Sequence, residues 1–198
     1  NSKEQLLSFI DENRNLSQLQ EVVKHRLDGD PGHDIAHFIR VAIWTSRIGA
    51  GVLDPRHVIA AAYLHDIVNV PKNSPDRAKA SEFSAKVASE LLPTFGFSAE
   101  EIPGICDAIR DHSFSRGATP TRLLGKALQD ADRLESLGIL GVFRTVSTGA
   151  RMGTEYFHSE DPWAKERPLN DSRYSVDHFF NKIFKLPELM NTEIGKKE

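Results

Sequence analysis

Cysteine is almost missing from this sequence: Cys106 is the only one in 198 residues. A single thiol makes no intrachain disulfide and no paired-cysteine zinc knuckle, and such usage points to a reducing compartment, so a cytoplasmic protein is expected. Long apolar runs are missing as well. The longest covers residues 58–64, far short of the roughly 20 residues that span a bilayer. No signal peptide is visible, and because residue 1 is Asn rather than Met, further residues are expected upstream. Charge of one sign is scarce too: 25 Lys and Arg stand against 28 Asp and Glu, a net −3. Such a balance attracts neither nucleic acid nor an anionic membrane, so neither is an expected partner. The period-two alternation of strands is absent throughout, as are internal repeats and low-complexity segments.

What is present is ordinary for one globular domain with a real core, 39% hydrophobic and 27% charged. The spacing is helical nearly everywhere. Ser2 with Gln5 makes a capping box before Leu6, Leu7 and Ile10. Leu16, Leu19, Val22, Val23 and Leu27 make a second stripe, which residues 29–32 (Gly-Asp-Pro-Gly) interrupt. A third helix carries His37, Val41 and Ile48, with Asp34 as a candidate N-cap. Asp54-Pro55 opens a fourth, expected to include His65 and Asp66. Residues 69–76 read as a loop. Residues 77–92 read as a helix with Ala80, Phe83, Ala85, Val87, Ala88 and Leu91 inward. Ser98 and Glu101 form another capping box, followed by the stripe Ile102, Ile105, Ile109 and His112. Leu124, Leu128 and Asp132 share a face, and Val142, Phe143 and Val146 follow in the same period. Beyond about residue 150 the pattern is irregular until Phe179, Ile183 and Phe184, and the last four residues are expected to fray.

The pattern centres on the stretch Ala61-Ala62-Tyr63-Leu64-His65-Asp66-Ile67. His65 continues the inward stripe of Val58, Ala61 and Ala62. A buried imidazole without a partner costs roughly 2–7 kcal/mol, and a buried carboxylate needs a partner still more. His37, His112 and Asp132 repeat the oddity, each a polar group where its stripe calls for an aliphatic one. A divalent cation is the simplest common partner, and His with Asp suits Mn, Mg, Fe, Co, Ni or Zn.

His37 with Arg40-Val41, then Leu64-His65-Asp66, then Asp130-Ala131-Asp132-Arg133-Leu134 together resemble the HD-domain metal-dependent phosphohydrolases. Gly32-His33-Asp34 ahead of His37, Pro71-Lys72, His112-Ser113 and Asp177-His178-Phe179 resemble its bacterial single-domain branch, so the likeness covers most of residues 30–190. It implies an all-α HD-domain helical bundle: one domain over residues 1–198, less regular from about 150. It implies one divalent metal ion held by His37, His65, Asp66 and Asp132. The paired histidines that accompany a second ion in related enzymes are absent.

The activity implied is hydrolysis of a nucleotide or a related small phosphate ester by a metal-activated water. Asp66, acidic and adjacent, is the expected catalytic residue that orients or deprotonates that water. Lys72 and Arg77, on the loop leaving the pair, are candidates for binding phosphate oxygens, with solvated surface charge as the alternative; for Arg116 the surface reading is favoured. His33 is a further substrate candidate, although it could support a ligand or simply begin the helix. His112 stands in the order of the histidines that bridge to a second ion in two-metal relatives; with one metal favoured, it is kept as a substrate candidate. His158 and His178 read as structural. Two other readings stay open: a phosphomonoesterase or cyclic-nucleotide phosphodiesterase, and a non-catalytic metal- or ligand-binding module. The Glu-Asp pair of the large alarmone hydrolases is absent from residues 67–77, which weighs against that activity. The oligomeric state is not legible.

Overall fold

A computed structural model of the chain describes residues 2–27, 29, 32, 34–70 and 74–198. It is all-α. Helices α1 (Ser2–Glu12), α2 (Arg14–Arg26), α3 (Ile35–Ile48), α4 (Pro55–Leu64), α5 (Ala80–Leu91), α6 (Ile102–Asp111) and α7 (Leu123–Leu134) follow one another, with short 3-10 turns between some of them. Among the described residues the only β-pairing is an isolated bridge between Glu155 and Tyr174. The chain divides into two compact units, Asn1–Asp132 and Arg133–Glu198.

In the first unit the helix starts follow cap chemistry. The side chains of Asn13, Asp34 and Asp54 accept N–H bonds from Leu16, His37 and Arg56, satisfying donors that a helix start leaves over. Ser98 and Glu101 close the expected box, since Glu101 Oε2 accepts the Ser98 N–H at 2.7 Å and Ser98 Oγ the Glu101 N–H at 3.4 Å. The Ser2 side chain lies outside the described residues.

Helix α4 is the centre of this unit and packs against α2, α3, α5 and α6. Residues 58–64 are almost wholly buried on every side, the pattern of a helix surrounded by others. Tyr63 accepts a hydrogen bond from the buried Gln20 amide at 2.9 Å, and burial pushes its hydroxyl up to about 12. One expectation needs correcting here. Helix α4 ends at Leu64; His65 is its C-cap and Asp66 lies in the turn beyond, so the pair sits at a helix end rather than inside a helix. The segment 77–92 is also divided, into a 3-10 turn (Arg77–Lys79) and α5. Its buried face is Ala80, Ser81, Ser84, Ala85 and Ala88, while Phe83 is exposed. Small side chains let α5 approach α6, its main neighbour, and a phenylalanine there would hold the helices apart.

The second unit contains α8 (Gly138–Met152), α9 (Asp177–Asn181) and α10 (Glu193–Lys197). Its long connection is organised by a buried ion pair. Asp177, fully buried, accepts two Arg167 N–H bonds at 2.6 and 2.8 Å and the Asn170 N–H at 2.7 Å. The Arg167 guanidinium also covers the Tyr174 ring, 4.6 Å from its centroid. His178 bonds Asp171 at 2.8 Å, and the His158 ring meets Tyr174 edge-on. The apolar residues foreseen on α8, Val142, Phe143 and Val146, are all exposed, and its buried positions are instead Gly141, Thr145 and Gly149. The last helix expected from residue 179 is broken after Asn181, and the chain end is helical where fraying was expected, because Thr192 caps α10 through the Gly195 N–H.

Candidate metal centre

Helix ends leave carbonyls without partners, and two of the singled-out histidines sit at such ends. His65, the C-cap of α4, donates Nδ1–H to the Ala62 carbonyl at 2.7 Å. His112, the C-cap of α6, does the same to Ile109 at 2.6 Å. A carbonyl only accepts, so Nδ1 carries the proton in both rings, and each neutral ring has its Nε2 lone pair left to give. The two rings meet edge-on with centroids 4.8 Å apart. Helix α3 brings His37 to the same place. The Asp34 cap bonds the His37 N–H at 2.8 Å, fixing the first turn from which the ring projects. Helix α7 brings Asp132.

The donor atoms converge without touching. His37 Nε2 lies 3.7 Å from Asp132 Oδ1, His65 Nε2 4.0 Å from the same oxygen and 3.7 Å from Asp66 Oδ2, and His112 Nε2 3.5 Å from Asp66 Oδ1. Two trios therefore qualify as groups that could hold an ion: His37, His65 and Asp132, and His65, Asp66 and His112. They share His65. Donors around one ion with bonds of about 2.1 Å stand roughly 3.0 Å apart when adjacent and about 4.2 Å when opposed. The observed separations lie in that interval, beyond good hydrogen bonds. His65 Nε2 is buried with no hydrogen-bond partner among the described residues, a costly condition that coordination would remove. Three imidazoles and two carboxylates suit a borderline or hard divalent ion. The residues fit a metal.

Electrostatics sort the histidines. Burial pushes His65 down to about 4, against the pull of Asp66, so its ring is neutral at neutral pH, the form that ligates. Burial acts to lower His112 too, but the nearby Asp66 carboxylate and the Asp132 charge outweigh it and leave His112 above its ordinary value.

The structure thus brings together His37, His65, Asp66, Asp132 and His112. His33 and Lys72 lie outside the described residues. Arg77 donates Nη1–H to the Val70 carbonyl at 2.7 Å, tying the foot of its own loop. Arg116 pairs with Glu82 and, at 3.4 Å, with Asp111; it is an ion-paired strut, where solvated charge was favoured. Two supports were not foreseen. Ser84 Oγ accepts the Val68 N–H at 3.2 Å just after the His-Asp pair, and Gln129 Nε2 donates to the Asp111 and Ala118 carbonyls, both at 2.9 Å. The only sequence signals are a serine on a face of small residues and a glutamine one turn before Asp132.

Comparison with known proteins gives the family. Residues 34–137 match the HD domain family, a span that contains all five clustered residues. The Bacillus subtilis (strain 168) protein YpgQ is 30% identical over 175 residues, covering 86% of this chain and 77% of YpgQ. The crystal structure of YpgQ in complex with ADP superposes with a TM-score of 0.67 at 27% identity, over 91% of this chain and 86% of that one. An HD-superfamily hydrolase from Bacillus thuringiensis superposes with a TM-score of 0.62 at 27% identity, over 100% of this chain and 88% of that one. The chain belongs to the HD-domain family.

Proposed function

We propose that this protein is a metal-dependent phosphohydrolase acting on a nucleotide or a related small phosphate ester, with water as the attacking group. The observation that carries the reading is the pair of ligand-spaced trios, His37-His65-Asp132 and His65-Asp66-His112, that share the buried Nε2 lone pair of His65. The ADP seen on YpgQ supports a nucleotide as the ligand class.

In this reading His37, His65, Asp66 and Asp132 hold one divalent ion. The ion supplies a Lewis acid for a phosphoryl oxygen and lowers the pKa of water beside it. Asp66 has a second task. One of its oxygens faces His65 and the other His112, so the carboxylate lies where it can orient the attacking water and take its proton. His112, with Nδ1–H on the Ile109 carbonyl, would contact the substrate as the protonated ring, whose Nε2–H donates to a phosphate oxygen. Arg77, Lys72 and His33 complete the proposed substrate contacts. The two compact units are proposed to act as one domain, since both α7 and the family match run across the boundary at Asp132.

The test is Asp66→Ala beside wild type, reading bound metal, circular dichroism, and phosphate and pyrophosphate release from a nucleotide panel with added Mn. Hydrolysis should fall to background and metal content should drop, while helicity survives, because Asp66 lies beyond the end of α4 and alanine leaves no unpaired charge. Full activity in the variant after chelation would sink the reading. Pyrophosphate release would separate triphosphate cleavage from a phosphomonoesterase. Wild type that binds metal but hydrolyses nothing on the panel would indicate a binding module.

A further inference from the structure

Gln129 sits in α7 one turn before Asp132 and is 1% exposed. Its amide donates to the carbonyls of Asp111 and Ala118, which bracket residues 112–117. The Asp111 carbonyl ends α6, where the helix itself supplies no partner, and it belongs to the peptide bond that leads into His112. Gly117, at φ +70°, makes the turn that returns the chain to Ala118. Arg116 ties the same segment to Glu82 of α5 and to Asp111. Positions 129 and 132 are three apart and share a face of α7. That face sends Asp132 toward His37 and His65 and also grips the peptide that carries His112.

We propose that Gln129 is a positioning residue. Its amide locks the end of α6 to α7, so that His112 faces Asp66 while Asp132, one turn on, faces His37 and His65. The proposal rests on the metal-centre reading above. Removing the two donors lets the α6 end relax, and the His112 ring leaves its place against Asp66 although no ligand has been changed.

The test uses Gln129→Met, nearly the same shape without the donors, and Asn13→Ala as a control that removes a cap in the same unit away from the cluster. Histidine ring spectra of the chelated, isotope-labelled protein are recorded, with the His112 signal identified by its loss in His112→Gln. Manganese affinity is then titrated. In Gln129→Met the His112 signal should move and manganese should bind about tenfold more weakly, while Asn13→Ala melts earlier yet keeps the signal in place and the affinity within about twofold. An unmoved His112 signal and unchanged affinity in Gln129→Met would make the amide a plain packing group and overturn the proposal. Should Gln129→Met not fold, Gln129→Asn, which keeps an amide one methylene short, is judged by the same two readouts. If wild type neither binds manganese nor hydrolyses any nucleotide, the functional reading fails, and the metal-free ring spectrum still decides the role of Gln129.

Discussion

An imidazole whose Nδ1–H is spent on its own helix's carbonyl has one lone pair and one direction in which to use it. His65 and His112 are both built this way, and the geometry of the cluster follows from where α4 and α6 stop. The ligand candidates were legible in the sequence because His37, His65 and Asp132 break apolar stripes, and a broken stripe is a local signal. Gln129 was not legible, since its worth depends on two carbonyls 11 and 18 residues away along the chain. Arg77 belongs between these cases. A cation on the loop leaving the pair reads as a phosphate contact, yet its Nη1 holds the Val70 carbonyl. We therefore expect Arg77→Ala to raise KM for the substrate several-fold through loss of the contact and of the loop's closure, with metal affinity nearly unchanged; Lys72→Ala should behave likewise. Steady-state kinetics beside manganese titration checks this. Unchanged kinetics in both variants would return Lys72 to solvated charge and leave Arg77 as a tie to the Val70 carbonyl.

At the scale of elements, caps decide where the site's side chains emerge. Asp34 ends one segment and starts α3, and its carboxylate holds the N–H of His37 itself. Asp34→Ala should lower the stability of chelated protein by about 1 kcal/mol in urea, and Asp34→Ser should recover most of it. Equal stability of all three proteins would show that the cap bond contributes nothing. Starts of this kind were readable in the sequence: Asp34, Asp54-Pro55 and the Ser98–Glu101 box each stand where expected. Stops and faces were not. No glycine or proline marks the end of α4 at Leu64; His65 caps it by turning its ring back onto the Ala62 carbonyl, and Asp66 follows in the turn. The buried face of α5 was half legible: Ala80, Ala85 and Ala88 are buried as expected, while Phe83 is exposed and Ser81 and Ser84 turn inward. Phe83 and Val87 are the larger apolar residues, but close approach to α6 selects the small side chains Ser84, Ala85 and Ala88, a choice made by the neighbour.

At the scale of the molecule, the two units are stabilised by different chemistry, and that difference can be measured. All five clustered residues belong to the unit Asn1–Asp132, whereas the Arg167–Asp177 pair belongs to Arg133–Glu198. Each unit holds one tryptophan, Trp44 or Trp163, so Trp163→Phe reports on the first and Trp44→Phe on the second. An ion that binds only the native state at a hundredfold excess over its Kd stabilises by about 2.7 kcal/mol. Chelation at pH 7 should therefore lower the melting temperature read by Trp44. Acid acts on the other unit. The hydrogen bonds from Arg167 hold Asp177 below the usual carboxylate range despite its burial, and backbone N–H groups of Lys165 and Glu166 do the same for Asp161. A group whose folded pKa is depressed contributes stability that is fully present above its unfolded value, about 3.9, and lost as pH falls through the lower folded one. In chelated protein the melting temperature read by Trp163 should thus be insensitive to these groups from pH 7 to about 5 and drop steeply below about pH 4. Asp177→Asn, which cannot ionise and meets Arg167 without charge, should start from a lower plateau and lose most of that acid-dependent step. A variant that keeps both the plateau and the step would show that the pair does not hold this unit together.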